Sequence, residues 1–189
     1  MIKKLFVILF LIFNTGLVAA QERMAGDSAD ITSYSRGIRY NKVSYKQESK
    51  AFMAKKRAII SMLAKRNSPL LTSTDTFIQM CTDNKLDCYL LPSIAGLESS
   101  FGQFIAPSTY NPFGWGGGYI EFSDWDEAIR TVGQGLKDNY IGEKGASIEQ
   151  IGSKYAESKT WAVRVRSFMA QFRDEEEKQL NSSNFAIEL

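Results

Sequence analysis

A mainly α chain with a small β-hairpin or strand element is expected from three observations. Apolar residues recur at helical spacing through most of 46–173. Asn, Ser, Asp and Gly fall where those stripes begin and end. The stretch 103–123 lacks helical period, is rich in Gly, Pro and aromatics, and contains the alternating run Tyr119-Ile120-Glu121-Phe122.

Residues 1–20 read as an export signal: Lys3 and Lys4, an apolar run from Leu5 to Phe13, then Val18-Ala19-Ala20 as a small-residue cleavage site. That run is shorter than the roughly 20 residues of a membrane span, so no stable membrane insertion is expected once the signal is removed. Gln21, where a lipoprotein would carry Cys, argues against a lipid anchor. The expected location is outside the cytoplasm, in a periplasm, the cell envelope or the medium. Residues 21–45 are polar without a stripe and read as a flexible lead-in, with folding expected to begin near Lys46.

Phe52, Ile59, Ile60 and Leu63 then form a helix stripe that Asn67-Ser68-Pro69 ends. A short helix from Asp75 to Cys81 carries Phe77 and Ile78, and Asp87 can cap the next one. Pro92 requires that helix to start late or to kink, and Gly102 closes it. On the alternating run, Ile120 and Phe122 would face inward, with Tyr119 and Glu121 on the other face. Asp124 with Glu127 resembles a capping box before the stripe Trp125, Ala128, Ile129, Val132, Leu136 and Tyr140. Ser147 with Gln150 does the same before Ile148, Ile151 and Tyr155. Trp161, Val165, Phe168, Met169 and Phe172 line a last long helix, and its charged continuation, Asp174 to Lys178, leads to a frayed tail, so that 174–189 reads as a charged helix end and flexible tail. A single domain of ordinary size over 46–173 accommodates these elements.

Signal removal takes two lysines and no acid from 23 basic and 21 acidic residues, so the mature chain is formally neutral and its charge names no partner. Lys55-Lys56-Arg57 reads as the wet face of a helix in an exported chain; no nucleic acid is expected. Cys81 and Cys88, both outside the signal, are expected to form a disulfide. Seven helical residues would hold them about 10 Å apart, beyond the roughly 7 Å a disulfide spans, so a turn must lie between them. The chain has no His, which removes Ser-His-Asp and Cys-His nucleophile systems and nearly every catalytic zinc site. Gly114-Trp115-Gly116-Gly117-Gly118 matches no phosphate-binding pattern, so no cofactor and no metal are expected.

Carboxylates, hydroxyls and aromatics remain, and among them Glu98 stands out. With Ile94 at zero and about 100° per residue, Leu90, Leu91, Leu97 and Phe101 fall at about −40°, +60°, −60° and −20°, and Glu98 at about +40°. A carboxyl inside an apolar stripe is expected to be buried, and burial favours its protonated form, as a general acid requires. The structural alternative is a buried partner for an arginine such as Arg130 or Arg164.

The run Leu90 to Gly102, with Glu98-Ser99 inside it, resembles the Glu-Ser motif of the lysozyme-like superfamily, of lytic transglycosylase and cell-wall glucosaminidase type. Tyr110-Asn111-Pro112-Phe113-Gly114-Trp115-Gly116 is similar to the Asn-(Pro or Leu)-Phe-Gly element of the glucosaminidase branch, and Tyr155-Ala156 to its Tyr-Ala. The lead-in Asn67-Ser68-Pro69-Leu70 to the cystine turn is also like those of exported lysozyme-like domains. The resemblance spans about residues 51–172. It implies an α+β lysozyme-like fold and cleavage of β-1,4 bonds in peptidoglycan, with Glu98 as acid and then base and Tyr155 steadying the charge or the acid. Ser99, Tyr110 and Asn111 would contact the glycan, while Phe113, Trp115 and Tyr119 would offer faces to sugar rings. Each also has a plainer reading: Tyr155 and Trp115 as packing, Trp125 and Trp161 as core.

Direct hydrolysis needs a second carboxylate, about 5 to 5.5 Å away for retention or about 6.5 to 9.5 Å for inversion. Glu121 is the candidate, with Asp124 and Asp126 behind it. One carboxylate suffices if a substrate hydroxyl attacks, as in lytic transglycosylases, which leave 1,6-anhydro ends. The chain lacks the Gly-Leu-Met-Gln element of their main branch, which favours the glucosaminidase-like reading. Two rivals remain, a non-catalytic wall-binding module and a lysozyme or chitinase directed at foreign glycans. A wall-cutting enzyme would also call for restraint, by a regulatory protein partner or by the lead-in.

Overall fold

A computed structural model describes residues 31–142 and 144–185, with side chains described for 47–142 and 144–182. The expected signal at 1–20 and residues 21–30 of the expected lead-in lie outside the described residues. Six α-helices follow in the order α1 (Ile31–Ala64), α2 (Thr74–Asn84), α3 (Leu90–Ser99), α4 (Trp125–Leu136), α5 (Ile148–Tyr155) and α6 (Trp161–Phe185). The mainly α expectation is met. The chain divides into two compact units, 1–40 and 41–189; the described part of the first is helical, and the second holds the remaining helices.

In the second unit α3 packs on α6, α2 on α4, and α5 on α6. Leu90, Leu91, Ile94 and Ala95 of α3 meet Val165, Met169 and Phe172 of α6 in a core that Ile59, Leu63, Phe77, Ile129 and Val132 complete. Tyr89 stacks on Phe172 at 5.4 Å, and Phe101 meets Phe168 edge-on at 5.3 Å. Phe52 and Ile60 were expected in the α1 stripe but are 41% and 38% exposed. Ile60 lies about 100° round from Ile59, past the edge of the packed face.

The ends of the helices follow the sequence signals closely. Asn67 takes positive φ and Ser68 caps the 3-10 turn Pro69–Ser73. Helix α3 starts late, at Leu90, so Pro92 falls in the first turn, where no hydrogen bond is lost. Asp87 accepts from the Tyr89 amide at 2.9 Å just before it. Lys85 ends α2 in the left-handed region, and the turn that follows brings Cys81 and Cys88 to a Cα separation of 4.8 Å, disulfide-bonded. Asp124 caps α4, and Glu127 reaches back to the Ser123 amide. The Ser147/Gln150 capping box of α5 is complete.

Three expectations need correction. Residues 31–45 are helical, where a polar lead-in was expected; once a helix is nucleated, each further residue adds a hydrogen bond, so a stripe is not required. The charged continuation of the last helix from Asp174 is helical as expected, but α6 runs on to Phe185 where a frayed tail was expected, and part of it is anchored. Glu175 is buried, accepting from Ser61 Oγ at 2.7 Å and Lys65 Nζ at 2.8 Å, and Glu176 accepts from Lys55 Nζ at 2.8 Å and Tyr89 OH at 2.7 Å. Finally, no strand occurs among the described residues, so the β-hairpin beside the cleft is not found. The Phe122 amide donates to the Thr109 carbonyl at 2.9 Å, but no ladder extends from that bond, and Ile120 is exposed while Phe122 is buried.

Two of the basic cluster's side chains are paired: Lys55 with Glu176 and Lys56 with Asp75. Among the described residues, no helix is long and apolar enough to cross a membrane.

Candidate active site

Helix α3 ends in a turn of three successive positive φ values, at Ser100, Phe101 and Gly102. Such a turn is costly for residues with a Cβ, and it needs external ties. Ser68 Oγ donates to the Phe101 carbonyl at 2.7 Å, and Ser99 Oγ accepts from the Gly102 amide at 2.8 Å. The Phe101 ring folds back over Gly96, where a Cβ would come within 2.5 Å of it.

The chain beyond this turn is organised by Asn111, which is buried. Its amide donates to the carbonyls of Trp115 at 2.8 Å and Ile120 at 3.2 Å, and its oxygen accepts from the Trp115 amide at 3.0 Å. The bracketed segment, Gly114 to Gly118, takes positive φ at four glycines. At Gly116 a side chain is excluded twice over, by a φ of 60° and by Ile120 Cδ1, which a methyl group there would strike.

Between the α3 end and this loop runs an open groove of about 220 Å³, lined by Glu98, Phe104, Ile105, Ala106, Gly117 and Tyr119 together with Ser99, Asn111, Gly114 and Gly118. Among the described residues, Glu98 is the one carboxylate in that lining. It stands on the last turn of α3 and is exposed, not buried as its place in the stripe predicts. The reason is local: the loop residue beside its Oε2 is Gly114, which has no side chain to cover it. Nor does an arginine hold it. Glu98 Oε1 accepts a hydrogen bond from Trp161 Nε1 at 2.8 Å, and Trp161 is 3% exposed.

Trp161 belongs to an aromatic cluster behind the groove. Its ring lies 5.0 Å from Tyr155, which lies 5.8 Å from Tyr140 and 6.0 Å from Trp115. Tyr155 OH donates to the Phe113 carbonyl at 2.7 Å. Burial first, then the charge of Glu98 and the neighbouring Tyr140, push the Tyr155 hydroxyl far above its usual range, so it stays a protonated donor. Tyr155 therefore meets the Glu98 side through its ring, which packs on Trp161, and not through its hydroxyl.

The other expected site residues divide between groove and scaffold. Tyr119 lines the groove and is 82% exposed. Ser99 also lines it, but its buried hydroxyl serves the Ala95 and Pro112 carbonyls and the Gly102 amide. Asn111 has its amide nitrogen and oxygen engaged by the loop, so its expected bond to substrate gives way to a bracing role. Phe113 is fully buried and offers no face; Trp115 is half-buried against Tyr140 and Tyr155. Tyr110 packs edge-on to Trp125 at 5.0 Å, outside the groove lining. Glu121 is exposed and does not line the groove; Asp124 caps α4 and Asp126 accepts from Thr76 Oγ1 at 2.8 Å. Among the described residues, this groove brings no second carboxylate to Glu98.

Sequence reasoning missed Trp161 and Phe104. Trp161 opens a helix stripe and reads as core, which it is; nothing in a stripe tells where an indole nitrogen points. Phe104, 75% exposed on the groove, sits in a stretch without period. Among the described residues no cluster of His, Cys, Asp and Glu could hold a metal ion. No family model and no curated protein matches the chain.

Proposed function

We propose that the protein is an exported glycosidase that cleaves β-1,4 bonds of peptidoglycan glycan strands, with Glu98 as its acid and base. The observation that carries this reading is a carboxylate held by a buried indole N–H at an open groove, whose lining includes two strongly exposed rings, Phe104 and Tyr119. Exposed aromatic faces beside a polar group suit a sugar, which presents apolar faces and polar edges. Glu98 is open to solvent, so exclusion of water would be completed by the strand lying over Phe104 and Tyr119.

In the reaction Glu98 gives its proton to the leaving glycosidic oxygen as the bond from the anomeric carbon breaks. That Glu98 is the one carboxylate lining the groove among the described residues favours attack by the substrate's own C6 hydroxyl, which closes a 1,6-anhydro ring and returns a proton to Glu98. Hydrolysis of the glucosaminidase kind, favoured by the sequence elements around Asn111 and Tyr155, would instead need a water and a second group to activate it.

Digestion of purified sacculi with mass spectrometry of the fragments tests both. Anhydro-muramic ends support the first product, reducing N-acetylglucosamine ends the second. Glu98→Gln should abolish release while the protein still sediments with sacculi; release that survives this change would refute the assignment. A wild-type protein that binds sacculi and releases nothing would instead be a wall-binding module.

A further inference from the structure

We infer that the transferable proton of Glu98 resides on Oε2 and that Trp161 is the positioning residue that puts it there, an assignment that rests on Glu98 acting as a glycosidase acid. An indole N–H donates and cannot accept. The oxygen it meets, Oε1 at 2.8 Å, must therefore present a lone pair. A protonated carboxyl has one hydroxyl oxygen and one carbonyl oxygen, both with lone pairs, and the carbonyl oxygen is the stronger acceptor, so Trp161 takes that one. The proton is left on Oε2.

The surroundings of both oxygens agree with that division. Oε2 lies on the side of Gly114, where even a methyl group would stand 3.6 Å off, and Glu98 and Gly114 both line the groove. Trp161 is held from behind by the Tyr155 ring at 5.0 Å and by Gly152, where a Cβ would come within 2.8 Å of the indole. The Tyr155 hydroxyl is committed to the Phe113 carbonyl, so it does not compete for Glu98. After Oε2 has given up its proton, the same N–H still serves Oε1 of the carboxylate. Oε2 remains the oxygen free to take a proton back from the attacking hydroxyl.

Two variants and one spectroscopic signal test the assignment. Trp161→Phe keeps a ring and removes the donor, and Gly152→Ala pushes the indole out of place. In each, kcat on sacculus fragments should fall about tenfold to a hundredfold, the range for losing a hydrogen bond to a charged group, while KM stays within about twofold. In the full chain, the Trp161 indole N–H resonance, identified by its absence from Trp161→Phe, should move with pH and stop doing so in Glu98→Gln. Should either variant fail to fold, the kcat of the other together with that signal still decides. Unchanged kcat in folded Trp161→Phe, or an indole signal indifferent to pH, overturns the inference. Wild-type protein that releases no fragments while the signal still follows pH removes the glycosidase premise instead, leaving Trp161 a structural contact.

Discussion

Replacing Glu175 by Gln should expose how α6 is fastened to α1. The buried Glu175 carboxylate accepts from Lys65 Nζ at 2.8 Å, Ser61 Oγ at 2.7 Å and Gln179 Nε2 at 3.2 Å. The Lys65 and Ser61 hydrogen bonds, against an opposing effect of burial, hold its pKa down from 4.5 to about 2. At about 1.4 kcal/mol per unit the drop corresponds to about 3 kcal/mol. Lys65 is 58% exposed, so water screens the pair and about 1 to 2 kcal/mol is the reasonable expectation. For a domain of this size that is a fall in Tm of about 3 to 6 °C at neutral pH. Because the folded-state pKa is the depressed one, the stabilisation is complete above about pH 4.5 and is lost as pH falls towards about 2. Thermal melts of both proteins at about pH 7 and about pH 3 should therefore show a gap that narrows in acid. A gap of constant size, or none at neutral pH, would contradict this account.

Asn111→Ala removes the bracket of the Gly114–Gly118 segment and leaves buried main-chain groups unpaired, so stability should fall by about 2 to 3 kcal/mol in urea unfolding. Activity should fall with it, because the groove wall is lost. Tyr119→Ala and Phe104→Ala alter exposed rings, and should weaken sedimentation with sacculi severalfold while leaving Tm within about 1 °C.

The helical order, the end of α1 at Asn67-Ser68-Pro69, the caps at Asp124 and Ser147, the choice between a late start and a kink that Pro92 forces on α3, and the pairing of Cys81 with Cys88 were all legible in the linear chain. These depend on neighbours within a few residues, and periodicity and turn chemistry report them directly. Glu98 was visible for the same reason, as a carboxyl on an apolar stripe. Its environment was not, because the stripe gives an angle around one helix and says nothing of what stands opposite. Folding of distant segments onto one another put Gly114 beside Oε2, Trp161 against Oε1 and Glu121 outside the groove. The same holds for Asn111 and Phe113, whose spacing looked like a binding element; their partners are the Gly114–Gly118 segment and the core, brought to them by chain up to nine residues away and by helices further still. Direction of a polar atom is a property of packing, and packing is decided between segments that the linear order keeps apart.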